Sequence, residues 1–174
     1  MLKTILALFT ALVFTLPLNA QNIMAEQSKV DFRISNMGLN RVNGTIQGMQ
    51  GDIQFNPNDL ANASFRVCVD PSTVATGINK RDEHLRSEDF FSVASFANVC
   101  FYSKAVKVDG EGYLAQGTLT MLGVSQEVEI PFTYKDKTLA GTLMLNRLDY
   151  GLGEGTSTFA AGNEVQVTIT CVLE

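Results

Sequence analysis

The sequence predicts an all-β fold: an antiparallel sheet of about eight strands with one short helix set between two of them. Three observations predict it. Apolar and polar residues alternate with a period of two over most of the chain, short turn-like segments separate the alternating runs, and a single stretch, "NKRDEHLRSEDFF", breaks the pattern.

The first twenty residues stand apart from that fold. Lys3 supplies a positive start, Thr4 to Leu18 is almost wholly apolar, and Leu18-Asn19-Ala20 reads as a small-residue cleavage site, so residues 1–20 are expected to be a signal peptide and 21–174 the mature domain. No later run reaches the roughly 18 apolar residues that span a bilayer, so the mature chain is expected to be exported without stable membrane insertion. No cysteine lies near the cleavage site to carry a lipid anchor.

The strands follow in order. In "KVDFRIS" Val30, Phe32 and Ile34 alternate with Asp31, Arg33 and Ser35, and in "ASFRVCVD" Phe65, Val67 and Val69 alternate with Arg66, Cys68 and Asp70. Between them "GTIQGMQGDIQF" reads as one strand with glycines suited to a bulge or sharp bend. Five more runs follow: "NVCFYSKAVKV", "GYLAQGTLTM", "VSQEVEIPFTY", "KTLAGTLMLN" and "NEVQVTITCVL". Their connections, "NPND", "VDGEG", "MLGVSQ" and "YKDK", are short enough for antiparallel neighbours. Such a sheet hides its apolar face by closing on itself or by folding into a sandwich, and a barrel of about eight strands is just wide enough to hold one slender ligand.

The exceptional stretch holds the only histidine, His84. Asn79 can cap a short helix whose first turn carries Asp82 and Glu83, and Ser87 can begin a second turn with Glu88 and Asp89. Leu85, Phe90 and Phe91 are its apolar positions, so one side packs inward and the charged side faces water, the build of a lid.

Charge and chemistry narrow the function. The formal charge of -5 becomes −6 once Lys3 leaves, and no Lys/Arg run interrupts the acidic balance, which argues against nucleic acid as a partner. His84 near Asp82, Glu83 and Glu88 supplies acid-base groups without an apparent nucleophile, so no catalytic residue is assigned. One histidine with neighbouring acids is at most a partial ligand set, so no metal and no cofactor is expected. "YGLGEGTST" contains G-x-G-x-G but lacks the following helix and lysine of a phosphate loop, and reads as a rim loop. For Cys68, Cys100 and Cys171 two readings stand, three small buried hydrophobes or a Cys68–Cys100 bridge between neighbouring strands with Cys171 free, and the bridge is preferred. The inward face, where a ligand would lie, is assigned to Phe32, Ile34, Ile46, Phe101, Leu119, Met121, Ile130, Phe132 and Leu143, with Ile53, Phe55, Val67 and Leu145 beside them. Periodicity alone does not decide between a filled barrel and a hollow one.

Several of these stretches resemble the YceI-like family: "SKVDFRI", "VNGTIQGMQGDIQFNP", "TGINKRDEHLRSEDFFSVASF", "CFYSK", "GYLAQGTLTMLGVSQEVEIPF" and "NRLDYG". The resemblance covers nearly all of the mature sequence and implies an extended lipocalin-like barrel in the periplasm that binds, stores or transports a long-chain apolar lipid, polyisoprenoid or fatty-acid/amide-like, without catalysis. Arg81, Asp82, His84, Leu85, Asp89, Phe90 and Phe91 match the family's signature segment, and Leu119, Thr120, Gly123 and Val124 its second motif. Arg81, Asp82, His84 and Asp89 are thereby expected to anchor the lid, with Leu85, Phe90 and Phe91 turned onto the ligand. Asn36 departs from the pattern, standing where many relatives carry histidine. Two other classes of function remain: a lipid-modifying enzyme using His84 and nearby carboxylates, or a filled barrel acting through a protein partner. A homodimer is left open.

Overall fold

A computed structural model describes residues 20–38 and 40–174, so the expected signal peptide lies outside the described residues except for Ala20. Ten strands form one antiparallel sheet. They are β1 (Gln21–Asn22), β2 (Lys29–Asn36), β3 (Asn40–Ile46), β4 (Gln50–Gln54), β5 (Ser64–Val69), β6 (Val99–Asp109), β7 (Gly112–Met121), β8 (Val124–Lys135), β9 (Thr138–Asn146) and β10 (Glu164–Val172). The single α-helix among the described residues, α1 (Asn79–Arg86), lies between β5 and β6. The order across the sheet is β1-β4-β5-β6-β7-β8-β9-β10-β2-β3, and the sheet curls into a half-barrel.

Ten strands replace the eight expected, for two local reasons. Gly48 takes φ +69° and Asp70 donates its backbone N–H to the Gln47 carbonyl, so the run read as one strand turns at Gln47–Met49 and divides into β3 and β4. These two halves lie at opposite sides of the sheet. The second addition is β1, a two-residue strand that pairs Gln21 with Ile53 and Asn22 with Asp52.

Alternation sets the register as the sequence implies. Phe32 pairs with Val167, Val167 with Leu143, Phe101 with Leu119 and Ala115 with Ile130, so inward residues meet inward residues from strand to strand. Two hairpins turn on consecutive left-handed residues, Leu122-Gly123 and Asp136-Lys137, the backbone twist that suits a two-residue connection. The seam between the sheet's two sides is partly closed by the segment after β5, where Thr45 and Ala75 form an isolated bridge and Gln47 donates its N–H to the Thr73 hydroxyl. Close approach of backbone and ring explains one glycine: a Cβ at Gly44 would lie 2.2 Å from the Phe32 ring, which rests across β3 there.

One end of the barrel is plugged by aromatic rings. Phe55 stands edge-on to Tyr113, Phe132 and Tyr134 at centroid distances of 5.0, 5.4 and 5.1 Å, and Phe65 packs 5.5 Å from Phe132. Edge-to-face contacts of this kind add to the area the rings bury. Leu173, bridged to Ile23, closes the same end. The other end is occupied by α1 and by the long connection from β9 to β10.

Candidate functional site

Between the plug and α1 the barrel is hollow. The cavity has a volume of about 440 Å³, within the range of ligand pockets. Its wall is almost entirely aliphatic and aromatic, and all twelve residues assigned to the ligand face line it: Phe32, Ile34, Ile46, Phe101, Leu119, Met121, Ile130, Phe132 and Leu143 from the strands, Leu85, Phe90 and Phe91 from the lid. A filled interior is therefore not what this sequence builds. Ile53, Val67 and Leu145 line it as well, whereas Phe55 belongs to the plug.

Polar side chains border the cavity mainly at the lid end, where Ser35, Asn36, Arg81, His84, Arg147, Tyr150 and Thr156 are placed by the ends of β2 and β9, by α1 and by the β9–β10 connection. At the plug end stands the buried thiol of Cys171, which desolvation pushes up to about 11 against the opposing pull of Ser28. Cys68 and Cys100 face each other across β5 and β6 and are joined in a disulfide. It ties the two strands from which the lid segment emerges.

The lid is fixed by a polar cluster at its first turn. Ile78, not Asn79, is the N-cap, and no side chain caps the helix directly. Instead the buried Asp82 carboxylate accepts the Thr76 backbone N–H at 2.9 Å and the Thr76 hydroxyl at 2.5 Å. Arg81 donates through Nε to the Thr76 hydroxyl at 2.7 Å and through a terminal nitrogen to the Thr76 carbonyl at 3.1 Å. Arg86 reaches across to the carbonyls of Ser72 and Val74. Of the four polar anchors named from the sequence, Arg81 and Asp82 converge on one threonine. His84 and Asp89 form a separate pair at 3.1 Å, with side chains 56% and 75% exposed. His84 also meets the Phe90 ring edge-on at 5.1 Å. Among the described residues its side chain bonds to no hydroxyl or thiol, and no three His, Cys, Asp or Glu side chains gather as metal ligands.

Ser87 ends the helix by donating its hydroxyl to the His84 carbonyl, and Phe91 N–H returns to the Leu85 carbonyl, which turns Phe90 and Phe91 onto the cavity. Phe90 also packs on Gly153 of the rim loop: a Cβ there would lie 2.5 Å from its ring. The lid and the rim loop therefore share one surface.

The rim loop is organised by a residue the sequence reading passed over. Arg147 is 2% exposed and donates all its guanidinium hydrogens to backbone carbonyls: Nε to Gly162, one terminal nitrogen to Leu152 and Gly153, the other to Thr156 and Ala161. None of these partners is a carboxylate, and burial lowers the guanidinium's pKa below its ordinary value. Three residues on, Tyr150 is also 2% exposed, and its hydroxyl has no partner. Burial, helped by the negative charge of Asp149, pushes that phenol up to about 12. The signal for Arg147 is compositional: it is the lone cation before a Gly/Ser/Thr-rich segment whose carbonyls have no strand to pair with.

Comparison with known proteins agrees with this architecture. A family model for the YceI-like domain matches residues 22–173. A UPF0312 protein of Photorhabdus laumondii subsp. laumondii is 32% identical over 135 residues, 72% of this chain and 69% of that protein. Another, of Yersinia enterocolitica, is 33% identical over 138 residues, 74% of this chain and 70% of its own. Among solved structures, Burkholderia cenocepacia BcnA aligns with a TM-score of 0.76 at 22% identity, covering 86% of this chain and 98% of that one. A polyisoprenoid binding domain from Saccharophagus degradans aligns with a TM-score of 0.67 at 18% identity, covering 89% and 98%. The solved structures share the fold, and the match over almost all the described residues decides the family: this chain belongs to the YceI-like family.

Proposed function

We propose that this protein binds a long-chain apolar lipid, polyisoprenoid or fatty-acid/amide-like, inside the barrel and stores or carries it in the periplasm. The observation that carries the reading is the cavity itself: dry-walled, closed by aromatic rings at one end and by an apolar lid face at the other, with side-chain oxygen and nitrogen mainly at the lid end. Each CH₂ taken from water into such a wall stabilises a complex by about 0.8 kcal/mol, so a chain of ten or more carbons binds firmly without any particular polar contact. That a related fold is a polyisoprenoid binding domain supports the same ligand class here. The exposed His84–Asp89 pair fits a lid anchor better than an acid-base centre, since a catalytic constellation needs a nucleophile or a bound reacting group within its reach. The leader-like residues 1–20 support export, and a homodimer is compatible with the exposed outer face of the sheet.

The test is an intact mass spectrum of the protein purified from its native envelope, recorded under nondenaturing conditions before and after organic extraction. An added mass that the solvent removes is expected, on a polypeptide that starts at Gln21. A bare protein that no prenyl or acyl chain stabilises against heat overturns the reading.

A further inference from the structure

We propose that one side of the lid-end rim is a docking surface for an anionic phospholipid bilayer, on which the protein rests reversibly. The proposal rests on the lipid-cavity reading for its partner, because a bilayer is where a long apolar chain resides before and after carriage.

Eight large hydrophobic side chains are exposed among the described residues, and five of them stand at the lid end: Met37, Ile78, Phe96, Val124 and Phe159. Tyr102 and Met144 lie on strands between the ends, and Val108 alone stands by the plug, paired with Tyr113. Three of the five share one side of the rim: Met37, Ile78 and Phe159, which are 58%, 52% and 68% exposed. Phe159 lies against the β2–β3 turn, where a Cβ on Gly38 would be 3.6 Å from its ring. Asn36 ties that turn to the rim loop by donating to the Ala160 carbonyl, and Gly162 N–H returns to the Ser35 carbonyl. The Thr45–Ala75 bridge sets the segment leading to Ile78 beside β3. Charge singles out the same side. The chain has 18 acidic residues and a formal charge of -5, yet residues 32–51, 71–81 and 155–163, which carry these three side chains, contain no Asp or Glu. They do contain Arg33, Arg41 and Lys80, all exposed, and none of the three is ion-paired among the described residues. Apolar tips that enter a bilayer between head groups, beside cations that meet phosphates, are the build of an interfacial anchor. A second copy seated here by a two-fold axis would set these cations against their own kind, so the surface suits phosphate better than itself. Three side chains bury too little to hold a bilayer permanently, which keeps the docking reversible.

The test is flotation of the mature protein with vesicles of phosphatidylethanolamine and phosphatidylglycerol, set against vesicles of phosphatidylcholine alone. Wild type is expected to float with the anionic vesicles, about tenfold more weakly with the neutral ones, and to be released as salt rises. Met37→Ser combined with Phe159→Ser is expected to weaken flotation about tenfold or more. Arg41→Gln combined with Lys80→Gln is expected to remove the preference for anionic lipid. All four substitutions should leave the melting temperature unchanged, along with the binding of a fluorescent fatty acid added without vesicles, because none of these residues lines the cavity. Val108→Ser, at the other end, should alter nothing. No flotation, or flotation that neither double variant weakens, overturns the docking surface and leaves the lipid reading standing. So does a dimer in sedimentation that the Met37 and Phe159 variant dissolves while vesicles bind neither protein. A wild type that floats yet takes up neither the fatty acid nor a prenyl probe overturns the lipid reading while the docking surface remains.

Discussion

The two ends of this barrel are built from different materials. At the plug, five aromatic rings fill the interior and close it by contact: Phe55, Phe65, Tyr113, Phe132 and Tyr134. At the lid, two polar clusters hold irregular backbone in place around empty space: the buried Arg147 under the rim loop, and the buried Asp82 with the half-buried Arg81 at α1. The difference teaches that a hollow fold divides its labour. Apolar packing stabilises one end, while directional hydrogen bonds shape the end that stays open, where packing would fill the space.

The comparison breaks if the ends are not independent, and substitutions test it in descending order of effect. Phe55→Ala should lower unfolding free energy by about 3–5 kcal/mol, read from a denaturant midpoint, while ligand exchange in the surviving folded protein stays as in wild type. Faster exchange would show that the plug also supports the lid. Arg147→Met is next: it strips the buried guanidinium's donors from five carbonyls of the rim loop, and a loss of about 2–3 kcal/mol is expected. Amide hydrogen exchange should rise across residues 148–163 but not in β4 to β6. Asp82→Ala should cost about 1–2 kcal/mol, and its signature is faster ligand release with an unchanged plug.

The remaining effect is alkaline and touches both ends. Cys171 near the plug and Tyr150 near the lid both have folded-state values raised above the ordinary ones, to about 11 and about 12. A raised value means that the protonated form is favoured by the fold. Each therefore contributes stability that is complete below its unfolded value, 9.0 for the thiol and 10.0 for the phenol, and is lost as pH rises through the folded one. Melting temperature should fall between about pH 9 and 12, with Cys171→Ala removing the lower part of the decline and Tyr150→Phe the upper. A decline that neither variant alters would place its origin elsewhere.

Most of the barrel was legible because a period of two is a strong and local signal: each of the seven unbroken runs became one strand, and every apolar residue chosen for the ligand face lines the cavity. The break at Gln47–Met49 was hidden because Gly48 suits a bulge as readily as a turn, and only the distant Asp70 decides between them. The lid's position and inward residues were visible in the charge pattern of Asn79–Phe91. Its anchoring was legible only in part, since Thr76 and the carbonyls of Ser72 and Val74 lie before the helix and carry no pattern of their own. Arg147 and Tyr150 escaped for a related reason. A side chain that bonds to backbone carbonyls, or to nothing in the protein, leaves no partner elsewhere in the sequence to reveal it.

The place of β10 has a consequence for how the molecule comes to exist. The last strand of the chain sits between β9 and β2, pairing Val165 to Thr170 with Ile34 to Lys29, so the first hairpin and the last strand are mutual requirements. A ribosome makes β2 and β3 early, yet the free edge of β2 has no neighbour until β10 emerges. Pairings so remote in sequence are slow to form, because the intervening loop must be closed before they reward it. The fold thus stays incomplete until β10 has been made, and a version truncated before Val165 should collect no native barrel at all.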